Sequence, residues 1–417
     1  GCLHGPLRRV YLQRIETVPS QQWHQNENAI LIMARKNPPY QGFEQGPIRP
    51  PSEARSLLIR VTRNCPWNKC TFCYVYKHEN FSVRPVADVI RDIDTVYKHL
   101  QNIGKLADNS GAVYRSDISK LAGQVDPEEI EAFNAALNWF AGGMESVFLQ
   151  DANSLVIKPD YLVEILTHLK KCFPWVSRIT SYARSHSLAR ITDENMARIK
   201  EAGLNRIHVG LETGSDTLLK LVQKGCTKEL HVKAGLNVKR AGMQLSEYIM
   251  PGLGGQELSK LHAVETADAL NAIDPHFIRL RTLTIPENYP LFPDDAEVPF
   301  VKATDAQIVE EIKTFIEQLD GISSTIKSDH MMNLLQTVEG TLPDDKAQML
   351  EMLQSFLDLD PEKKMLFQVG RRMGLLLRVE DLEKEHLNER VQGICQQLAI
   401  TPDNVDQMID KHVSRSI

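Results

Sequence analysis

Six short apolar runs, rich in β-branched residues, recur along residues 56–285 with helical patterns between them. After the first gap they begin roughly 30 to 40 residues apart, the length of a βα unit. Parallel strands with helical crossovers close toward a barrel and bring reactive loops to the strands' C-terminal ends. The pattern predicts an α/β fold, a partial (β/α)6 TIM-like barrel. The runs are SLLIRVT (56–62), SVFLQ (146–150), SRITSYA (177–183), RIHVGL (206–211), LSEYIM (245–250) and HFIRLRTLTI (276–285).

The predicted helices alternate with these runs and suggest three parts of the chain. Residues 1–55 read as an irregular N-terminal arm, and residues 56–301 as the barrel, with an insertion at about 101–143. From residue 302 to 417 only helix-period segments follow, which predicts an all-helical C-terminal module. The barrel helices are expected at 85–100, 158–172, 192–203, 228–242 and 257–272.

Charge and composition exclude several classes of protein. The chain has 417 residues and a net charge of -6, with an excess of acidic side chains in residues 302–417. An acidic half repels phosphate backbones, so nucleic-acid binding is not indicated. No apolar run is long enough for a membrane span, and the first residues do not resemble a signal peptide. Four cysteines are scattered singly, which fits a reducing compartment and predicts a cytoplasmic location.

The other three cysteines stand close together, directly after the first predicted strand. Cys65, Cys70 and Cys73 form the pattern C-x4-C-x2-C. Three thiolates on one loop can bind three irons of a [4Fe–4S] cube, whose usual complement is four. The remaining iron would then be open to a substrate or cofactor, as the open position of a catalytic zinc is. A structural zinc, or a cluster completed by a distant Cys or His, would use the same cysteines.

Three further features accompany the cysteines: Phe72 just before the third of them, GLETGSDTLLKLVQKG (210–225) and YIMPGLGG (248–255). Together with the cysteines, they resemble the radical S-adenosylmethionine (radical SAM) superfamily. The likeness covers about residues 56–285, in the style of its Elp3/MiaB/NifB-like core and of its uncharacterised Fe–S oxidoreductases. Two features depart from the family pattern. One extra residue separates the first two cysteines, and Gln150-Asp151-Ala152-Asn153 replaces the usual Gly-Gly-Glu stretch.

The resemblance implies a reaction. A [4Fe–4S] cluster on Cys65, Cys70 and Cys73 would bind S-adenosylmethionine at its open iron and cleave it reductively. The resulting 5′-deoxyadenosyl radical would abstract hydrogen from an unidentified small molecule, lipid precursor, peptide or prosthetic group. Reduced flavodoxin or ferredoxin is the expected electron donor. The cysteines outside the triplet are too dispersed for a second cluster, and residues 1–55 are too few for a cobalamin-binding domain.

The resemblance also implies contacts to the cofactor. Phe72 is expected near the adenine, and Asp151 or Asn153 at the amino group of S-adenosylmethionine. Arg184, on the same face of the third strand as Tyr182, would hold the methionine carboxylate.

Further predictions concern residues later in the chain. Glu212 would reach the ribose hydroxyls or the ammonium group, and Gly252 would lie beside the adenine. Arg279 and Arg281 share a face of the sixth strand, so that one of them would meet an anionic substrate. Ser328 and Asp329 fit a helix N-cap, while His330 would border the active site if the C-terminal module covers the barrel.

Two other functions use the same cysteines. A non-catalytic Fe–S protein for electron transfer or sensing needs a fourth protein ligand and makes no use of the motifs after the fourth and fifth strands. A zinc-stabilised barrel of unrelated activity would bind metal without sulfide. Cys172, Cys226 and Cys395 are expected to be small apolar fillers.

Overall fold

A mostly parallel β-sheet with its strands in chain order organises the protein. The computed structural model describes residues 39–106, 113–285 and 289–413. Within them, seven strands of the main sheet run parallel and an eighth pairs antiparallel at one edge. The strands are β1 (Leu57–Arg60), β2 (Thr62–Arg63), β3 (Ser82–Val83), β4 (Ser146–Gln150), β5 (Arg178–Ala183), β6 (Arg206–Glu212), β7 (Gln244–Ile249), β8 (Phe277–Leu280), β9 (Thr325–Lys327) and β10 (Gly340–Thr341).

Helices connect the parallel strands and bury apolar side chains against the sheet. They are α1 (Val86–Gly104), α2 (Arg115–Ala122), α3 (Ile130–Ala141), α4 (Pro159–Cys172), α5 (Ser185–Leu188), α6 (Asp193–Glu201), α7 (Asp216–Leu221), α8 (Lys228–Arg240), α9 (Ser259–Ile273), α10 (Asp305–Gln318), α11 (Lys346–Leu357), α12 (Pro361–Arg372), α13 (Glu385–Gln397) and α14 (Val405–Val413). None of the described helices is long and apolar enough to cross a membrane.

The predicted α/β architecture is confirmed. The six predicted strands correspond to β1, β4, β5, β6, β7 and β8, which pair in that order. No pairing between β1 and the far edge closes a barrel among the described strands, in agreement with a partial barrel. The sixth strand is shorter than predicted, because the chain leaves the sheet after β8, and residues 281–284 line a cavity instead.

Aromatic side chains fill the inside of the sheet. Phe148, Tyr182, His208 and Tyr248 come from four successive strands, and their ring centres follow each other at 5.2, 5.7 and 5.6 Å. Glu53 lies beside this row, fully buried, with its carboxylate 3.5 Å from His208. The short helical turn Pro51–Glu53 therefore packs against the inner side of the sheet.

The description of residues 302–417 as all-helical was wrong. β9 extends the sheet in parallel beside β8, and β10 pairs antiparallel with β9. Strands of three and two residues are too short to show an alternating sequence pattern. They form through pairing, β9 with the edge of β8 and β10 with β9. Residues 42–417 form one compact unit, while the predicted arm falls mainly on residues 1–38, outside the described residues. The predicted domain boundaries stay predictions.

Candidate active site

A cavity of about 1000 Å³ lies at the C-terminal ends of the parallel strands. We call it the central cavity. Its wall includes the three clustered cysteines, the residues that follow β5, β6 and β8, and side chains of α12, α13 and α14. The volume is at the upper end of the range of roughly 300–1,000 Å³ typical of ligand sites, so it can hold more than one small molecule.

The cysteine-bearing loop is closed at its base by the antiparallel pair β2–β3. Asp151, at the end of β4, fastens the loop from the other side. Its carboxylate pairs with Arg60 at 2.8 Å, accepts a hydrogen bond from the backbone amide of Asn64 and accepts another from the Tyr76 hydroxyl. The loop therefore has a fixed path before its first cysteine.

The segment after α7 holds the far side of the same loop. The indole of Trp67 donates a hydrogen bond to the carbonyl of Gln223 at 2.7 Å, and the amide of Thr71 donates one to the carbonyl of Val222. Gly225 has φ +71°, and a Cβ there would collide with the Trp67 ring. Only glycine combines that conformation with such a close approach.

Buried thiols and nearby cations give the cysteine loop its electrostatics. Burial raises the pKa of the Cys70 thiol to about 11, although the positive charges of Lys224 and Arg184 act in the opposite direction. Burial also raises the pKa of Cys73, against the same effect of Lys224. The two cations stabilise negative charge at the cysteines, whether thiolates or a group that the thiolates hold.

The cysteine loop supplies thiolates, the ligands that an iron–sulfur cluster takes. A tetrahedral zinc with Zn–S bonds of about 2.3 Å brings its sulfurs to within roughly 4 Å of one another. Among the described residues, the only ligand set gathered within 4.8 Å is Asp94, His168 and Cys172, on α1 and α4. The cysteine triplet is not gathered so closely, and its three thiols lie in the wall of one cavity, where each can bind a different iron of one cube. Its residues therefore fit the implied [4Fe–4S] group.

Glu212 and Lys224 form an ion pair in the cavity wall. The Nζ atom of Lys224 lies 2.9 Å from Oε1 of Glu212 and 5.4 Å from the centre of the Phe72 ring. Burial alone would lower the pKa of Lys224, but Glu212 and the Cys70 thiolate outweigh it and raise the pKa. Lys224 thus stays charged. Its role was not predicted from the sequence, although it lies in the motif 210–225.

Arg184 lines the cavity beside this pair. One guanidinium nitrogen donates a hydrogen bond to the carbonyl of Lys224 at 2.8 Å, and the guanidinium carbon lies 5.2 Å from the centre of the Trp67 ring. Tyr182 lies two residues earlier on β5 and also lines the cavity. The structure therefore brings Cys65, Cys70, Cys73, Phe72, Tyr182, Arg184 and Glu212 together around one space.

Three predicted cofactor contacts do not line this space. Asp151 is already satisfied by Arg60, Tyr76 and Asn64, as described above. Asn153 is buried, donates to the Ser187 hydroxyl at 2.8 Å and accepts from the backbone amide of Arg184 at 3.1 Å. Both residues position neighbouring segments, so the prediction that they contact the cofactor gains no support from their places.

Gly252 is the third of these residues. Its amide donates a hydrogen bond to Oε1 of Glu311 at 2.7 Å, and the residue packs beside Ile308 of α10. Burial raises the pKa of Glu311 to about 7, although hydrogen bonds from Ser259 and Gly252 act against that change. The Gly-rich turn after β7 thus joins α10 rather than the central cavity.

Cys226 lies in the cavity wall and is not the apolar filler that the sequence predicted. Its sulfur is 3.0 Å from Nε2 of His231, whose Nδ1 is 2.6 Å from the Ser185 hydroxyl. Burial, with the charges of Lys224 and Arg184, lowers the pKa of His231 to about 3, so the imidazole is neutral. This hydrogen-bonded row could not be found by spacing, because Ser185 comes from a different βα unit.

The predicted helix N-cap at Ser328 and Asp329 was wrong, because residues 328–339 contain no helix. The Ser328 hydroxyl donates to the carbonyl of Leu335, and Asp329 pairs with Arg279 at 2.7 Å. These contacts compete with helical hydrogen bonds. His330 lines the central cavity, which confirms that the C-terminal part borders it.

Comparison with known proteins gives one family match. The sequence profile of the Radical SAM superfamily matches residues 59–266, about half of the chain. A curated relative, 4′-phospho-dehydrooxetanocin synthase of Priestia megaterium, is 26% identical over 231 residues, which cover 52% of this chain and 26% of that protein. The chain thus spans about a quarter of the length of the curated relative it matches.

Solved structures show weaker similarity. Methylornithine synthase (PylB) is 15% identical with a TM-score of 0.38, over 67% of this chain and 66% of its own. The cobalamin-dependent S-adenosylmethionine radical enzyme OxsB is 13% identical with a TM-score of 0.38, over 88% of this chain and 55% of its own. Such low values establish no shared substrate or activity.

Proposed function

Because this chain belongs to the radical SAM superfamily of enzymes, we propose that Cys65, Cys70 and Cys73 hold a [4Fe–4S] cluster. When bound, the reduced cluster supplies the electron that cleaves S-adenosylmethionine to methionine and a 5′-deoxyadenosyl radical, which abstracts hydrogen from the substrate. The observation that supports this proposal most is the shared cavity. The three thiols open into a space of about 1000 Å³ that continues well beyond the cluster loop.

The chain's own residues would position the cofactor and exclude water. The backbone amide of Arg184 donates a hydrogen bond to the side chain of Asn153, which fixes the position of the residue. Its guanidinium can therefore receive the methionine carboxylate in a fixed place. Glu212 uses one carboxylate oxygen for Lys224, which leaves Oε2 for a ribose hydroxyl or an ammonium group. Phe72 and Tyr182 offer aromatic faces to the adenosyl part.

Lys224 and Arg184 would also act on the cluster itself. Both cations lower the pKa of the Cys70 thiol against the effect of its burial. They therefore favour the deprotonated cysteines that bind iron, and they stabilise the negative charge of a reduced cluster. We propose reduced flavodoxin or ferredoxin as the electron donor, by analogy with the family.

The main alternative is a non-catalytic Fe–S protein, which needs a fourth protein ligand. Among the described cysteines outside the triplet, only Cys226 lines the central cavity. Its sulfur is hydrogen-bonded to His231, and the cavity has no role in a protein that only carries electrons. The absence of cobalamin stays a prediction.

Anaerobic reconstitution followed by a 5′-deoxyadenosine assay tests the proposal. We expect about four irons and four sulfides per chain and release of 5′-deoxyadenosine from S-adenosylmethionine with a chemical reductant. Cys70→Ala should lose both the cluster and the product. Cys172→Ser is the matched control, because it removes a thiol from the ligand set on α1 and α4 and should keep both. Wild-type product release by Cys70→Ala would contradict the ligand assignment.

A further inference from the structure

Arg281 brings a positive charge into the wall of the central cavity. Its side chain lines the cavity and has no ion-pair or hydrogen-bond partner among the described residues. The other arginines of this region are engaged. Arg279 pairs with Asp329, Arg372 pairs with Asp305, and Arg371 donates to the carbonyl of Leu334. A cation that the described part of the chain leaves unpaired is available to an anionic ligand.

The backbone on both sides of Arg281 is held in place. The buried amide group of Asn333 donates to the carbonyl of Leu280 and accepts from both the amide and the hydroxyl of Thr282. The amide of Arg281 itself donates to the carbonyl of Ile249 at 3.0 Å. Arg281 is therefore anchored at its base while its guanidinium stays free, as a preorganised binding group requires.

Tyr248 supplies a second unsatisfied polar group in the same cavity. The residue is 9% exposed, and its buried hydroxyl lies close to the Tyr182 hydroxyl but makes no well-aligned hydrogen bond among the described residues. Burial raises the pKa of Tyr248, so the hydroxyl keeps its proton and can donate it in a hydrogen bond. Buried polar groups normally have partners, and a bound ligand would provide one here.

His330 does not supply a second free cation in the cavity. His330 follows Asp329 in the cavity wall, and burial together with the charge of Arg281 lowers its pKa to about 4. It is therefore neutral at physiological pH. Lys224, the nearest lysine of the cluster side, is already paired with Glu212.

The C-terminal part of the chain lines the cavity mainly with apolar side chains. We call Met331, Met332, Met373 and Met408 the methionine wall. Met331 is 76% exposed and Met373 is 55% exposed, and both line the cavity. Ile394 of α13 and Leu398, directly after that helix, continue this surface. Flexible thioether side chains adapt to apolar ligands of varied shape, and exposed apolar patches of this kind mark binding sites.

We propose that the substrate is an amphipathic small molecule whose oxyanion, a carboxylate or a phosphate, binds Arg281 and Tyr248 while its apolar body packs on the methionine wall. This substrate class rests on the proposed function, which makes the central cavity the place of hydrogen abstraction. Arg184 remains the group assigned to the carboxylate of S-adenosylmethionine. The two arginines thus serve different ligands.

Binding of simple probes to the reconstituted protein tests this assignment. Octanoate, octyl phosphate and 1-octanol share one apolar chain and differ in charge. Wild-type protein should bind at least one of the anions about tenfold more tightly than the alcohol, as measured by anaerobic calorimetry. The tighter anion identifies the oxyanion. Arg281→Gln should remove this preference and leave the affinity for 1-octanol unchanged, and Tyr248→Phe should reduce it partly.

The controls distinguish a wrong substrate class from a wrong proposed function. Arg115→Gln, on α2 and outside the cavity wall, should keep the anion preference. Arg281→Gln should also keep the spectral response of the reduced cluster to S-adenosylmethionine. Unchanged octanoate and octyl phosphate binding in Arg281→Gln would overturn the proposal, and so would loss of the S-adenosylmethionine response in that variant. Failure of the proposed function would appear differently, as a wild-type cluster indifferent to S-adenosylmethionine.

Discussion

Replacing Lys224 with methionine removes one partner of the ion pair beside the cysteine loop. Breaking a buried ion pair from one side costs about 3–5 kcal/mol, because the remaining charge is left without compensation. The side chains of Lys224 and Glu212 are 12% and 11% exposed. We therefore expect a loss of unfolding free energy at the lower end of that range, about 3 kcal/mol. Lys224→Met combined with Glu212→Gln removes both charges and should recover about 2 kcal/mol of that loss.

Urea denaturation of the cluster-free chain, followed by circular dichroism, measures these values without a contribution from bound metal. Lys228→Met is the matched control. Lys228 also pairs with a carboxylate, Glu265 at 2.8 Å, but that glutamate is 39% exposed. The loss there should stay below about 1 kcal/mol. Equal stability of Lys224→Met and the double variant would refute the reasoning, since it would show no coupling between the two charges.

The same substitution should change the reactivity of Cys70. The charge of Lys224 holds down a pKa that burial has raised to about 11. Without that charge the thiolate becomes rarer, so alkylation of Cys70 in the cluster-free chain, followed by peptide mass spectrometry, should slow at any given pH. An unchanged or faster rate would mean that Lys224 has no influence on the cysteine loop.

Gly225→Ala should destabilise the chain by about 2 kcal/mol more than Gly242→Ala, because both glycines have φ +71° but only Gly225 faces the Trp67 ring. It should also weaken iron retention after reconstitution. Similar losses of stability in both variants would show that the contact with Trp67 has no role. Glu311 should make stability depend on pH, since a folded pKa of about 7 lies above the usual 4.5. The contribution of Glu311 to the free energy of unfolding is fully present below about pH 4.5 and falls by about 3 kcal/mol as the pH rises through 7. Glu311→Gln should flatten this dependence in thermal denaturation, whereas Glu310→Gln on the exposed face of α10 should not; a wild-type curve that is already flat would contradict the assignment.

The sequence predicted the elements that have a strong period. β4 begins and ends where its apolar run does, and α4 and α6 differ from their predicted ranges by one or two residues. Alternating and helical spacing report burial on a sheet or a helix face directly. The cysteine loop was placed correctly for the same reason, because it follows a strand whose C-terminal end meets the others.

The remaining site residues depend on contacts between distant segments. Lys224 comes after α7, twelve residues beyond Glu212, and reaches it only because the chain turns back over the cysteine loop. Asp151 has the right charge and place for a cofactor ligand, but Arg60 from a neighbouring strand occupies its carboxylate. Residues 328–339 have helical spacing, yet Asn333 and Ser328 bind the backbone of other segments. None of these competing partners is visible in a local pattern.

The central claim is that three thiolates hold a cluster whose last iron is open to S-adenosylmethionine. Electron paramagnetic resonance of the reduced, reconstituted protein, with and without S-adenosylmethionine, tests it most directly when Cys226→Ala is measured beside the wild type. The account predicts a spectrum that changes when S-adenosylmethionine is added, in the same way for both proteins. A wild-type spectrum that ignores S-adenosylmethionine, with a Cys226→Ala spectrum that differs from it, would show Cys226 on the fourth iron and contradict the account.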